Sequence, residues 1–196
     1  DRGWDRRAKS AIPNLERYIE DHPEVLVQAI VWTYKRSDRA EDPPEFRVEA
    51  EKARPMAERG FKLIQAMKRI PGSDEQGSID AERLAKWTET VRKSCAELSR
   101  IGIADVVIGE LLASAPIGKD GAWPCEAVRT VMEDLQSEDM MRGVHTGVYN
   151  SRGFHTRGQG GDQERQLAEK YRKWAQQLRM SSPFMAVGAD RKLSHF

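Results

Sequence analysis

The sequence predicts an all-α protein, an irregular antiparallel bundle of about eight or nine helices, with stacked helical hairpins as a variant of that arrangement. Three observations carry the prediction. Apolar residues recur in steps of three or four through most of the chain, as the 3.6-residue turn of an α-helix requires. No segment alternates apolar and polar residues over the length of a strand. The breaks between apolar runs are mostly short and rich in Pro, Gly, Ser and Asp, so successive helices are closely linked. A solenoid would repeat itself at a period of roughly 30–45 residues. No such self-similarity exists, so the 196 residues read as one domain, with residues 71–79 as the place where it would divide.

Residues Arg2 to Ser10 are charged around a single Trp4 and suit a frayed leading helix. Pro13 fits a first helical turn, where its missing N–H costs nothing. Leu15, Tyr18 and Ile19 then form one short face that ends near His22, because Pro23 disfavours helical geometry in the residue before it. From Pro23 to Ser37 a second helix carries Val25, Leu26, Ala29, Ile30, Val31 and Trp32, with Lys35 and Arg36 at the negative end of its dipole. Asp38 to Pro44 is a loop by composition.

A third helix starts at about Arg47 or Ala53, its beginning obscured by Pro55, and runs to Ile70 with Met56, Leu63, Ile64, Met67 and Ile70 inward. Gly60 weakens its middle by about 1 kcal/mol relative to alanine. Pro71 to Gly77 reads as a flexible connector, and Ser78 or Asp80 caps the fourth helix. The centre of the chain is a tightly turned helix pair. Its first member has Leu84, Trp87, Val91, Cys95 and Leu98 on one side, and Gly102 offers it a C-terminal stop. Its second member, Ile103 to Leu112, is apolar on most of its circumference and therefore buried.

Pro116 to Trp123 is another break. Pro124 opens a helix with Val128, Val131, Met132 and Leu135 aligned. Ser137, followed by Glu138 and Asp139, caps the next, which carries Met140, Met141, Val144 and Val148 to about Tyr149. A glycine-rich loop spans Ser151 to Gly161. A long helix then runs from Asp162 to Met180, with Leu167, Tyr171, Trp174 and Leu178 on its stripe. Ser182-Pro183 opens a short terminal helix through Met185 and Val187.

With 39% hydrophobic and 32% charged residues the chain has the composition of a globular protein with a charged surface. A formal charge of +1 gives no overall pull toward nucleic acid or anionic lipid. The charge is unevenly spread. From Asp105 to His145 eight acids face three bases, and from Asn150 to Met180 seven bases face three acids, so the two segments are expected to attract one another within the fold. Two cysteines make neither a disulfide framework nor a metal cage. No apolar run nears the ~20 residues of a membrane span, and the polar N-terminus is not a signal peptide. A cytoplasmic protein is the expectation. The chain starts without methionine, so it reads as a segment of a longer polypeptide.

The stretch richest in chemistry is YNSRGFHTRGQGGDQ. Arg152, His155 and Arg157 lie among Gly158, Gly160 and Gly161, and Arg165 comes just after them in the next helix. Backbone N–H groups ahead of a helix N-terminus, with arginines beside them, can hold a phosphate or carboxylate. The spacing is neither a P-loop nor a dinucleotide fingerprint, and a plain polar linker explains the same glycines. The basic residues beyond it, Arg165, Lys170, Arg172 and Lys173, can track a phosphate backbone or simply face solvent.

Three further constellations are weaker. Cys125 at a helix start can have its thiol pKa lowered by the dipole, with His145 and His155 as candidate bases in one cleft. The acids Glu133, Asp134, Glu138 and Asp139 can attract a divalent cation, but no metal-ligand spacing accompanies them. Tryptophans at Trp32, Trp87 and Trp174 anchor a core, whereas Trp4 and Trp123 flank loops. No cofactor motif is present, and neither a catalytic residue nor a metal ligand is assigned.

The stretches IEDHPEVLVQAIVWTYKR, ERLAKWTETVRKSCAELSR and VMEDLQSEDMMRGVHTGVYNSRGFHTRGQGGDQE resemble the C-terminal part of large uncharacterised bacterial proteins, up to about Pro183. The resemblance implies no activity. The expected function is a non-catalytic helical protein-interaction or scaffold module, whose partner is the rest of its parent polypeptide or another protein. The alternative is a nucleic-acid or phosphate contact through loop 151–161.

Overall fold

The computed structural model describes residues 12–151 and 162–193. Among these, nine α-helices account for nearly all regular structure and no strand is formed. They are α1 Pro13–Asp21, α2 Glu24–Thr33, α3 Ala50–Ala66, α4 Ala81–Glu97, α5 Ile101–Leu112, α6 Glu126–Leu135, α7 Glu138–Ser151, α8 Asp162–Leu178 and α9 Pro183–Leu193. A 3-10 turn, Pro44–Phe46, interrupts the loop between α2 and α3. The expected leading helix at Arg2–Ser10 lies outside the described residues. Buried apolar side chains from Ile19 to Ala186 join in one cluster.

Most stripes read from the sequence are the buried faces; α1 departs from this, since Leu15 and Tyr18 are exposed and Ile19 alone of its expected face is buried, beside Glu16. On α4 the buried stripe is Leu84, Trp87, Val91 and Cys95. On α5 burial extends round most of the helix, through Ala104, Val107, Ile108, Leu111 and Leu112. Each fully buried Leu or Ile side chain contributes on the order of 1.5–3 kcal/mol.

Helix ends differ from the periodicity where distant polar groups take the backbone. The second helix stops at Thr33 rather than Ser37, because Tyr34 turns extended and its carbonyl accepts from Arg100 Nε at 2.9 Å. The third stops at Ala66 rather than Ile70. There the buried Glu16 carboxylate accepts from the backbone N–H groups of Lys68 and Arg69, which helical geometry would have turned inward. Met67 and Ile70 remain buried without being helical.

Three glycines act other than expected. Gly102 does not end α4; Ser99 takes the left-handed conformation instead (φ 52°), and Gly102 sits in the first turn of α5. Gly60 is a contact point as well as a weakness. A Cβ there would lie 2.7 Å from the Ala29 carbonyl, so the glycine sets how closely α3 approaches α2. Gly72 (φ 82°) belongs to a connector that is bonded in place. Ser73 pairs with Ile79 in a β-bridge, and Gly72 N–H donates to Glu20 Oε1 at 3.0 Å.

Two helices in the bundle run the same way. Along α5, Gly102, Val106 and Ala113 meet Asp139, Gly143 and Gly147 of α7, in rising order from end to end. Helix α6 is the crossover that returns the chain. Cys125 is its N-cap, and it ends where Gln136 turns left-handed (φ 45°). Ser137 then caps α7, its Oγ accepting from Met140 N–H at 3.2 Å.

Candidate functional site

Of the seven residues expected to bind an anion, Arg152, His155, Arg157, Gly158, Gly160 and Gly161 lie outside the described residues. Arg165 is described. It projects from the start of α8 with its side chain exposed. The inward face of α8 holds Tyr171, Trp174 and Leu178, which pack in the core. Trp174 Nε1 donates to the Gly121 carbonyl at 3.1 Å, and its ring lies 5.8 Å from that of Trp123. Trp123 is thereby half-buried rather than a free loop tryptophan. Its own Nε1 donates to the Ala115 carbonyl.

With one face so anchored, α8 turns Arg165, Glu169, Arg172, Lys173 and Gln176 outward, and Arg179 is exposed in the turn after it. Lys170 is set aside from this row: its ammonium lies 4.8 Å from the centre of the Trp174 ring, and partial burial lowers its pKa.

The candidate nucleophile is not activated, and His145 is engaged by the fold. Cys125 is buried, and burial outweighs the helix N-terminus, so its thiol pKa is pushed up rather than down. Cys95 is fully buried and its pKa is pushed up to about 12. Neither thiol is in a disulfide. His145 instead lines a cavity of about 10 Å³ between α7, α8 and α9, with Val144, Tyr171 and Met185, and Nε2 bonds the Gly188 carbonyl at 2.9 Å. That space holds one water at most. His155 lies outside the described residues.

The acid-rich stretch is divided among structural tasks. Glu133 accepts from the backbone N–H groups of Phe184 and Met185 at 3.1 and 2.9 Å, placing a carboxylate at the positive end of α9. Asp139 pairs with Arg142 at 3.0 Å. Among the described residues no group of three or more His, Cys, Asp or Glu side chains is close enough to hold a metal ion.

Other members of the acidic segment find bases outside the basic one. Asp120 pairs with the buried Arg129, which holds the Asp120 carboxyl below its ordinary pKa. Asp105 receives Arg92 Nε at 2.7 Å and Nη2 at 3.2 Å, and Ser137 Oγ donates to it at 2.6 Å. One buried carboxylate therefore ties α4, α5 and the cap of α7.

The sequence pattern did not disclose this role, nor those of Glu16 and Glu20 on α1. Glu20 accepts from Arg69, Gly72 and Arg83. The available signal was an acid one or two positions from an apolar stripe: Glu16 beside Leu15 and Ile19, and Asp105 inside the most apolar helix. Among the described residues no helix is long and apolar enough to cross a membrane. Comparison of the chain with family models, curated proteins and solved structures finds no significant match.

Proposed function

We propose that the chain is a non-catalytic helical module of a larger bacterial polypeptide, and that it works by docking against a protein surface. The observation that carries this reading is the use made of the groups a reaction would need. Glu16, Asp105, Arg100, Glu133 and His145 each bond a distant backbone or side-chain group of the fold. The thiols are buried, and the cavity beside His145 is too small for a substrate. Much of what faces outward is charged helix surface, with exposed apolar side chains such as Tyr18, Phe61 and Met180 among it, which suits recognition more than chemistry.

Lysine-reactive cross-linking in the native cells, with identification of the linked peptides, tests the proposal. The expected result is one recurrent protein, or one recurrent segment of the parent polypeptide, linked through lysines on a single face. Links spread evenly over exposed lysines such as Lys52, Lys93 and Lys173 would contradict it. So would turnover of a substrate by the purified chain that is lost in Cys125→Ala or His145→Ala.

A second reading, nucleic-acid or phosphate contact, draws on the exposed arginines of α8 together with the neighbouring loop 151–161. It predicts binding that weakens steeply and log-linearly with added salt.

A further inference from the structure

The outer face of α8 is the described surface on which a partner is most narrowly specified. Arg165 and Arg172 stand seven residues, two turns, apart, so they lie along one ridge of α8 about 10.5 Å from each other, and Arg179 follows in the turn just past the helix. Glu169 lies between them and Gln176 beyond them on the same ridge, with Lys173 beside it. The helix thus reads plus, minus, plus, neutral along about 16.5 Å, with a further plus in the turn beyond. Lys173 lies 3.9 Å from Glu169. The opposite side of the helix is committed to Tyr171, Trp174 and Leu178, so this face points away from the core.

We infer that this ridge docks an acidic α-helix of a protein partner, with carboxylates in steps of seven set against Arg165 and Arg172. The inference rests on the interaction-module reading and names the surface and the partner's chemistry. Two facing helices present residues to each other at the same spacing, so two carboxylates seven residues apart meet Arg165 and Arg172 without distortion. Arginine offers a planar fork that takes a carboxylate through two bonds.

Nucleic acid fits the ridge less well. A strand carries a phosphate every 3.4 Å or so, far denser than arginines about 10.5 Å apart. Glu169, in the middle of the ridge, would repel it. The chain's net charge of +1 supplies no wider field to compensate. A partner helix can place a lysine opposite Glu169, and that position would fix register as opposed charges do between paired helices.

Titration of the whole chain into labelled probes, read by fluorescence anisotropy at two salt concentrations, tests this. The probes are an alanine-based helical peptide with glutamates in steps of seven, the same peptide with glutamines, a 20-nucleotide single strand and vesicles containing anionic lipid. The glutamate peptide should bind most tightly. Its affinity should fall about tenfold or more in the doubly reversed variant Arg165→Glu, Arg172→Glu. Both positions are exposed, and a circular dichroism spectrum confirms that the variant folds.

Tighter binding of the oligonucleotide or the vesicles would overturn the inference. Equal binding of the glutamine peptide, indifference to the reversal, or no binding to the glutamate peptide would do the same. Repeating the native-cell cross-linking with the variant separates the two claims. If the cross-linked partner persists, the module reading stands and its α8 surface falls. If the wild-type chain has no such partner, the module reading falls.

Discussion

A Cβ placed on Gly109 would lie 2.0 Å from the carbonyl oxygen of Met140, well inside contact distance. Gly143 is as tightly placed, 2.1 Å from the Val106 carbonyl by the same construction. Helices α5 and α7 therefore touch backbone to backbone along their parallel run, and neither contact can relax by rotating a side chain.

Alanine at Gly109 or Gly143 should consequently separate the pair. Each substitution is expected to cost about 3 kcal/mol, a fall in Tm of about 6–12 °C for a chain of this size. Gly121 is the control. It has open space around it but a φ of 80°, so alanine there should cost only about 1–2 kcal/mol through the left-handed penalty. Thermal denaturation of the three variants checks the order.

Asp105 is 3% exposed, so removing it strands Arg92 and the Ser137 hydroxyl. Asp105→Ala should cost about 3–5 kcal/mol, as loss of one partner from a buried ion pair does. Ser137→Ala should cost about 1 kcal/mol through the cap of α7. A double-mutant cycle in urea should show the two effects to be non-additive, because Ser137 Oγ bonds both the carboxylate and Met140 N–H.

Glu16→Gln keeps the acceptor oxygen that serves Lys68 and Arg69 but removes its charge. It should lose less than Glu16→Ala, which should cost about 2–3 kcal/mol. Hydrogen exchange should then rise first at Lys68 and Arg69, whose N–H groups the Glu16 carboxylate accepts, and less at Gly72, which Glu20 holds. Uniform exchange changes across the whole chain would show that the clamp is not local.

Asp38 is held well below the usual carboxylate pKa by Arg36, with Ser99 and the Ala40 N–H assisting. Its folded value lies under its unfolded one, which sets the sign. Its contribution is complete above the unfolded value and is lost as pH falls through the folded one. Asp38→Asn should therefore narrow the stability difference between pH 6 and pH 2, and denaturant midpoints at the two pH values measure it. An unchanged difference would remove Asp38 from the acid limb.

Both thiols should resist a water-soluble disulfide reagent at pH 8 and react fully once the chain is unfolded. Burial raises each pKa, Cys95 to about 12, and the thiolate is the reactive form. Rapid native-state labelling of Cys125 would revive it as a candidate nucleophile.

Helix existence was legible because each stripe is local: Leu84, Trp87, Val91 and Cys95 announce α4 without reference to anything else. Boundaries were less so, since the ends of α2 and α3 are set by Arg100 and Glu16, tens of residues away. The helical glycines were illegible for a similar reason. Gly109 and Gly143 look like weak points until the helix that lies against each is known. In the candidate site, Arg165 falls on an exposed helix face as its 3.6-residue register implies. Of the cleft imagined from Cys125, His145 and His155, the thiol is buried with its pKa raised, the His145 imidazole bonds the Gly188 carbonyl, and His155 lies outside the described residues.

Site-specific photo-cross-linking in native cells tests the central claim most directly, with the photoreactive residue at Gln176 on the α8 ridge and, as control, at Thr90 on the outer face of α4. The account predicts a protein adduct from position 176 alone, whose cross-linked peptide carries Glu or Asp at helical spacing. Adducts to nucleic acid, or equal yields from positions 176 and 90, would contradict it.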